Sequence, residues 1–420
     1  MDSIDREKSN PDDLGIPVGR KWSLGLLASV IVIGIVLAIT LSISGASFLT
    51  RVGHSPAEFG TSQSTGVRTV VNDEPLLAPP PPQVNTALIV SLLEKDSIQA
   101  IDEPEFQTAE AASSAMDPDE RVIGIEINGD ARAYPIPILS VHEIVNDEIG
   151  GEPVAITWCP LCYTALVFSR NIENRDSPVS FGVSGKLLYE TLVMYDRETD
   201  SLWSQLYGSA IEGPMSGARL SFFPGVFTKW SAWLEQHPNT LVLDKAATCE
   251  RFNCGTYSSN PRGSYDVDPY ASYYIRPGQG VVNTQIPRDE ESALDSPKRR
   301  VLGIRIAGKA RAYPYDILAA LSVINDAVNG SPVLIWFEAN TETGMAYSRT
   351  VEGVVLSFSI DPLDPSILLD NETGSSWQAS SGLAISGPWG GSQLAPIFAT
   401  SAFEIGWFDY FPASEIYSDS

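Results

Sequence analysis

Basic residues, histidine and cysteine are scarce in this 420-residue chain, and each scarcity closes off a class of function. There are 27 lysines and arginines against 52 aspartates and glutamates, a formal net charge of −25. That balance argues against nucleic acid and against an anionic lipid surface as partner. Acid excess names no ligand by itself, and its plainest reading is a solvated acidic surface. There is no glycine-rich phosphate loop and no Gly-x-Ser-x-Gly elbow, and His142-Glu143 has no second histidine four residues on. A nucleotide cofactor is therefore not expected, nor are the hydrolase chemistries that those motifs carry.

Charge is missing altogether from residues 22 to 50, where leucine, isoleucine, valine and alanine dominate. Such a run is long enough to cross a bilayer as a helix. Arg20 and Lys21 abut its amino-terminal end, with Arg6 and Lys8 upstream, while Arg51 and Arg68 are the only basic residues soon after it. The positive-inside bias predicts a single-pass membrane protein with a cytoplasmic amino terminus (1–21), a signal anchor (22–46) and everything later extracytoplasmic. Cleavage near Ser44-Gly45-Ala46 is the alternative, and it exports the same domains. Residues 47–86 are rich in Ser, Thr, Gly and Pro and end in Pro79 to Pro82, which reads as a stalk.

Beyond the stalk the sequence repeats itself. Arg121 to Arg170 aligns without a gap onto Arg300 to Arg349 at a constant offset of 179, sharing Val-x-Gly-Ile, Ala-Arg-Ala-Tyr-Pro, Asn-Asp and Pro-Val. From Asp196, matched by Asp370, the offset is 174, and it carries Trp203 onto Trp377 and His237-Pro238 onto Phe411-Pro412. The expected organisation is a first copy (87–248), a connector (249–298) and a second copy (299–420), packed as a pseudo-symmetric pair.

The copies differ in their chemistry. Cys159, Cys162 and His142 of the first meet Glu338, Thr341 and Leu321 of the second. Two thiolates three residues apart can grip one soft ion, and His142 could add a nitrogen, a set suited to copper or zinc. Alternatively, Trp-Cys-x-x-Cys after an apolar strand can exchange disulfides, with Cys159 as nucleophile and Cys162 as resolving thiol. The third reading is a structural clip. A lone histidine on an apolar turn is usually a surface or capping residue. His142 is singled out because the only two histidines outside the stalk both lie in the thiol-bearing copy. His237, before a proline, reads as a cap. Cys249 and Cys254, in a loop without helix or strand periodicity, are expected to form a disulfide in an oxidising compartment.

Lys186, Arg197 and Gln205 are substrate-binding candidates as anion contact, carboxylate or phosphate fork and amide clamp. Their neighbours Asp196 and Thr199 read as turn chemistry, and Met194 as core.

Several of these segments resemble the bacterial and archaeal domain-of-unknown-function family 3179 (DUF3179). The resemblance runs from Lys95 to the end. It includes Gly129-Asp130-Ala131-Arg132-Ala133-Tyr134-Pro135, His142-Glu143-Ile144-Val145-Asn146-Asp147, Cys159-Pro160-Leu161-Cys162, Phe181-Gly182-Val183-Ser184-Gly185-Lys186-Leu187 and Met194-Tyr195-Asp196-Arg197-Glu198-Thr199. Tyr163 departs from the family pattern, which has glycine after the second cysteine. The resemblance implies a shared fold and carries no activity.

The strand signals predict a β-rich α+β fold, internally duplicated behind one transmembrane helix. Strands are expected over 122–127, 131–134, 154–158, 163–168, 188–195 and 219–223, with an Asn128-Gly129 hairpin turn and helices over 88–94, 138–146 and 228–236. The leading functional expectation is a membrane-anchored extracytoplasmic protein binding copper or zinc through Cys159, Cys162 and His142. A thiol-disulfide oxidoreductase and a non-enzymatic surface binding module are the alternatives.

Overall fold

Short antiparallel strands joined by tight turns build most of the described chain, as its many β-branched and aromatic runs require. The computed structural model describes residues 84–254, 265–276, 278, 280–281 and 298–419. The expected anchor (22–46) and nearly all of the stalk lie outside the described residues. No helix among the described residues is long and apolar enough to cross a membrane.

The first half opens on Arg121–Ile127 paired with Asp130–Pro135 across the Asn128-Gly129 turn, where both residues have positive φ (53° and 82°), as a type I′ hairpin needs. Helix Ile136–His142 follows, then the meander Ile144–Ile149, Glu152–Cys159 and Thr164–Ser169. The hairpin Phe181–Leu188 and Thr191–Asp196 lies at the centre of a separate five-stranded sheet with Leu202–Ser204 and Ser209–Glu212. Strand Val226–Lys229 then returns to Arg121–Ile127 and leads into helix Trp230–Gln236.

The second half runs Arg300–Ile306, Lys309–Pro314, helix Tyr315–Leu321, then Val323–Val328, Ser331–Glu338 and Thr343–Ser348. A four-stranded sheet, Phe358–Asp361, Asp364–Asp370, Ser376–Gln378 and Leu383–Ser386, comes next. Strand Ala399–Phe403 pairs with Arg300–Ile306, and helix Glu404–Tyr410 closes the fold.

Some expected boundaries move. Residues 88–94 are not helical: a 3₁₀ turn, Thr86–Leu88, gives way to strand Ile89–Ser91, which β-branched Ile89 and Val90 favour and which pairs with Phe181–Leu188. The helix expected to reach Asn146 stops at His142, because Glu143 takes φ 60° and Ile144-Val145 enter a sheet. The strand expected over 188–195 is broken by a two-residue turn at Tyr189-Glu190. Cys249 lies in a helix, Lys245–Phe252, rather than a loop; Asp244 caps it by accepting from Ala246 and Ala247 N–H, and left-handed Asn253 ends it.

The halves meet face to face. Strand Ala399–Phe403 lies against Thr164–Ser169, and strand Val226–Lys229 lies against Thr343–Ser348. Arg121 and Arg300 both reach the Glu342 carboxylate, and the Thr228 and Thr343 hydroxyls are 2.6 Å apart. Residues of both halves, including Phe181, Trp203, Val301, Ala402 and Trp407, share one buried apolar cluster with Cys159 and Cys162.

Candidate functional site

The thiols sit on the turn that follows strand Glu152–Cys159. Aromatic packing on either side fixes this turn. Trp158 stacks on Phe227 (centroids 5.4 Å apart) and donates to the Ser140 hydroxyl (3.1 Å), while Tyr163, at φ 60°, packs edge-on against Trp158 and against Phe403 of the second half. Both cysteines are free thiols, Cys159 2% exposed and Cys162 fully enclosed. The Cys159 thiol points at the Glu190 carbonyl (3.7 Å) and the Cys162 thiol at the Cys159 carbonyl (3.8 Å). Burial first, then Cys162 and the charge of Glu143, push the Cys159 thiol well above its usual range.

Three parts of the chain wall the pair in. The hairpin turn Tyr189-Glu190 covers one side, with Glu190 fully buried. The closing helix covers another: Phe403 N–H donates to the Cys162 carbonyl (2.8 Å), and a Cβ on Gly406 would stand 3.0 Å from Cys162 Cβ, so a larger residue there would press on the thiol turn. The connector supplies the third wall. Tyr273 donates its hydroxyl to the Leu161 carbonyl (3.1 Å), Lys298 stands over the Tyr273 ring (3.4 Å) and donates to its carbonyl (2.8 Å), and Val281 N–H donates to the Glu190 carboxylate (2.8 Å). Helix Ala271–Ile275 of this connector has no buried residue of its own, so it forms a thin cover.

His142 stands apart from the thiols. Its Nδ1 faces the Gln99 carbonyl and its Nε2 the Tyr265 hydroxyl, each at 2.6 Å, and Phe252 packs on the ring at 4.4 Å. Burial lowers its pKa, opposed by the Gln99 contact. Both ring nitrogens are thus engaged away from the sulfurs, and among the described residues no group of three His, Cys, Asp or Glu side chains could hold a metal ion. Glu143, the residue after His142, is the one whose charge acts on Cys159.

The other expected site residues separate. Gln205 is fully buried behind the thiol turn, donating to the Thr157 hydroxyl (3.0 Å) and the Thr164 carbonyl (3.2 Å), with its Oε1 unpartnered among the described residues. Lys186 donates to the Ser91 hydroxyl (2.9 Å) and Arg197 pairs with Asp102 (2.6 Å), so neither faces the thiols. Asp196 accepts from Thr199 and from the Trp203 indole (2.8 Å), and Met194 is core. His237 pairs with Glu126 (2.9 Å) and stacks on Trp233 (3.9 Å). Cys249 and Cys254 are joined by a disulfide, their Cα atoms 4.8 Å apart.

Glu190, Tyr273 and Gly406 carry no motif, and sequence reasoning missed them; Glu143 lies in the His142 to Asp147 family segment, which gives it no role. Position in the repeat is the one available signal: at the offset of 174, Tyr189-Glu190 falls on Leu363-Asp364, where Leu363 is 93% exposed. The Leu363 turn is a surface tip, whereas the Tyr189-Glu190 turn is a wall of the thiol site.

No curated protein and no solved structure matches the chain. The family described as "Protein of unknown function (DUF3179)" matches residues 95–414, which contain both thiols and all three walls of their site. The chain therefore belongs to the DUF3179 family.

Proposed function

We propose that this protein is a membrane-anchored, extracytoplasmic thiol–disulfide protein in which Cys159 and Cys162 are the working pair. The observation that carries the reading is a pair of free, buried thiols three residues apart on one turn, while the other two cysteines of the chain are bonded to each other. Oxidation forms one Cys159–Cys162 bond and releases two protons and two electrons. A partner disulfide takes these up as its own S–S bond breaks to two thiols. Cys159, the more accessible of the two, attacks, and Cys162 resolves the mixed disulfide. Burial pushes the Cys159 thiol well above its usual range, so access through the connector around Tyr273 sets the rate.

Export is supported by the uncharged run at 22–50 with its upstream arginines and lysines, and by the Cys249–Cys254 disulfide, which belongs to an oxidising compartment.

Internal duplication is part of the same proposal. Its support is reciprocal: Arg121 corresponds to Arg300 in the repeat and Tyr163 to Glu342, and Arg121 reaches Glu342 while Arg300 lies over the Tyr163 ring. Such swapped pairs are what a pseudo-twofold axis produces. The Arg132–Asp147 and Asp196–Trp203 pairs likewise correspond to Arg311–Asp326 and Asp370–Trp377.

The test is a redox titration of the full-length chain in detergent, beside a Cys159→Ser/Cys162→Ser variant, with bound copper and zinc quantified on the same samples. A reversible two-electron midpoint within roughly −270 to −120 mV, absent from the variant, supports the reading. About one equivalent of copper or zinc that the variant loses would replace it with a soft-metal site. A pair that neither oxidises nor binds metal would leave a binding module.

A further inference from the structure

We infer that Arg305, with Tyr207 and Arg219, forms a site for a small oxyanion, a carboxylate or a phosphate. Arg305 lies on strand Arg300–Ile306 and is only 8% exposed. Its guanidinium stands 4.2 Å from the Phe398 ring centroid and 5.3 Å from that of Phe411. Its Nε has no hydrogen-bond partner among the described residues. The charges acting on it are the Tyr207 phenol and a second cation, Arg219, and no carboxylate is among them.

Two aromatic faces do not balance such burial. Cation–π attraction recovers only part of what enclosing an unpaired ion costs. Nor does the group escape by losing its proton, since burial lowers its pKa to about 10, still protonated at neutral pH. The matching position of the first half shows what balance looks like. There Glu126 occupies the same hairpin register and is paired with His237 at 2.9 Å. In the second half an arginine and Phe411 replace that pair, leaving a planar guanidinium whose Nε has no acceptor among the described residues. A fork of this shape fits the paired oxygens of a carboxylate or phosphate. Exposed Arg219 marks the solvent side of the site. The Tyr207 ring lies 4.6 Å from that of Tyr410, which belongs to the same apolar cluster as Cys159 and Cys162.

The experiment follows thermal unfolding and calorimetric binding of the full-length chain in detergent, in sodium phosphate, in sodium succinate and in sodium chloride at matched ionic strength. A saturable stabilisation by phosphate or succinate beyond chloride is expected. Phosphate alone assigns the site to phosphoryl groups, succinate alone to carboxylates, and either supports it. Arg305→Met should weaken binding about 10- to 100-fold, the loss of a charge-assisted fork. Arg219→Gln, at an exposed position, should weaken it several-fold. No anion-specific response in the unmodified chain overturns the proposal. So does an unchanged response in Arg305→Met, or in Arg219→Gln should the first variant not fold.

Discussion

At Glu120 burial governs ionisation more than the ion-pair partner does. Glu120 is held 2.6 Å from Lys245, a contact that favours its charged form, yet desolvation outweighs that attraction and raises its pKa from 4.5 to about 7. The folded state therefore holds a proton that the unfolded state has released between these two values. Glu120 contributes stability that is fully present below pH 4.5 and is lost as the pH rises through about 7. Urea denaturation should show the stability of the native chain falling relative to Glu120→Gln across this window and levelling off above it. A difference flat in pH would mean that Lys245 controls the carboxylate instead. Burial likewise pushes the Cys159 thiol well above its usual range, so a cysteine legible as part of a reactive motif rests protected.

At the scale of elements, the two helices that cover the outer sheets show how one packing problem takes two solutions. A Cβ on Gly124 would fall 2.2 Å from the Trp233 ring, and one on Gly303 2.2 Å from the Trp407 ring, so each strand needs glycine beneath its tryptophan. The residue after each helix then diverges, His237 pairing with Glu126 and Phe411 facing Arg305. Grafting the second solution onto the first half with Glu126→Arg and His237→Phe tests this equivalence. Each single change breaks the Glu126–His237 contact. The double variant should lose less stability than the sum of the two by about 0.5 kcal/mol or more, read in a denaturant double-mutant cycle. Strict additivity would show that the two positions do not answer one another.

For the whole molecule, the decisive contacts run between halves. Glu342 receives Arg121 from the first half and Arg300 from the second, with the three side chains 21–33% exposed. Replacing it by Gln leaves two guanidiniums without a counter-charge, a loss of about 1–3 kcal/mol. Because the shared apolar cluster couples the halves, calorimetry should show one transition that moves down as a unit in Glu342→Gln. Two separate transitions, with only one shifted, would show that the halves fold independently.

The sequence by itself determined the strands with strong β-branched patterning, the Asn128-Gly129 turn, the repeat offsets and the residues with distinctive chemistry. All of these are local properties, set by side-chain type and by near neighbours along the chain. Only the tertiary structure decided which residues meet. His142 is turned towards Gln99 and Tyr265 because its helix ends at left-handed Glu143. The wall of the thiol site is assembled from a hairpin turn, a connector and a helix of the other half, segments far apart along the chain. Burial and long-range contact depend on how sheets pack against each other. The hairpin turn that holds Glu190 and the hairpin turn that holds Leu363 therefore end up in opposite surroundings, Glu190 fully buried and Leu363 93% exposed.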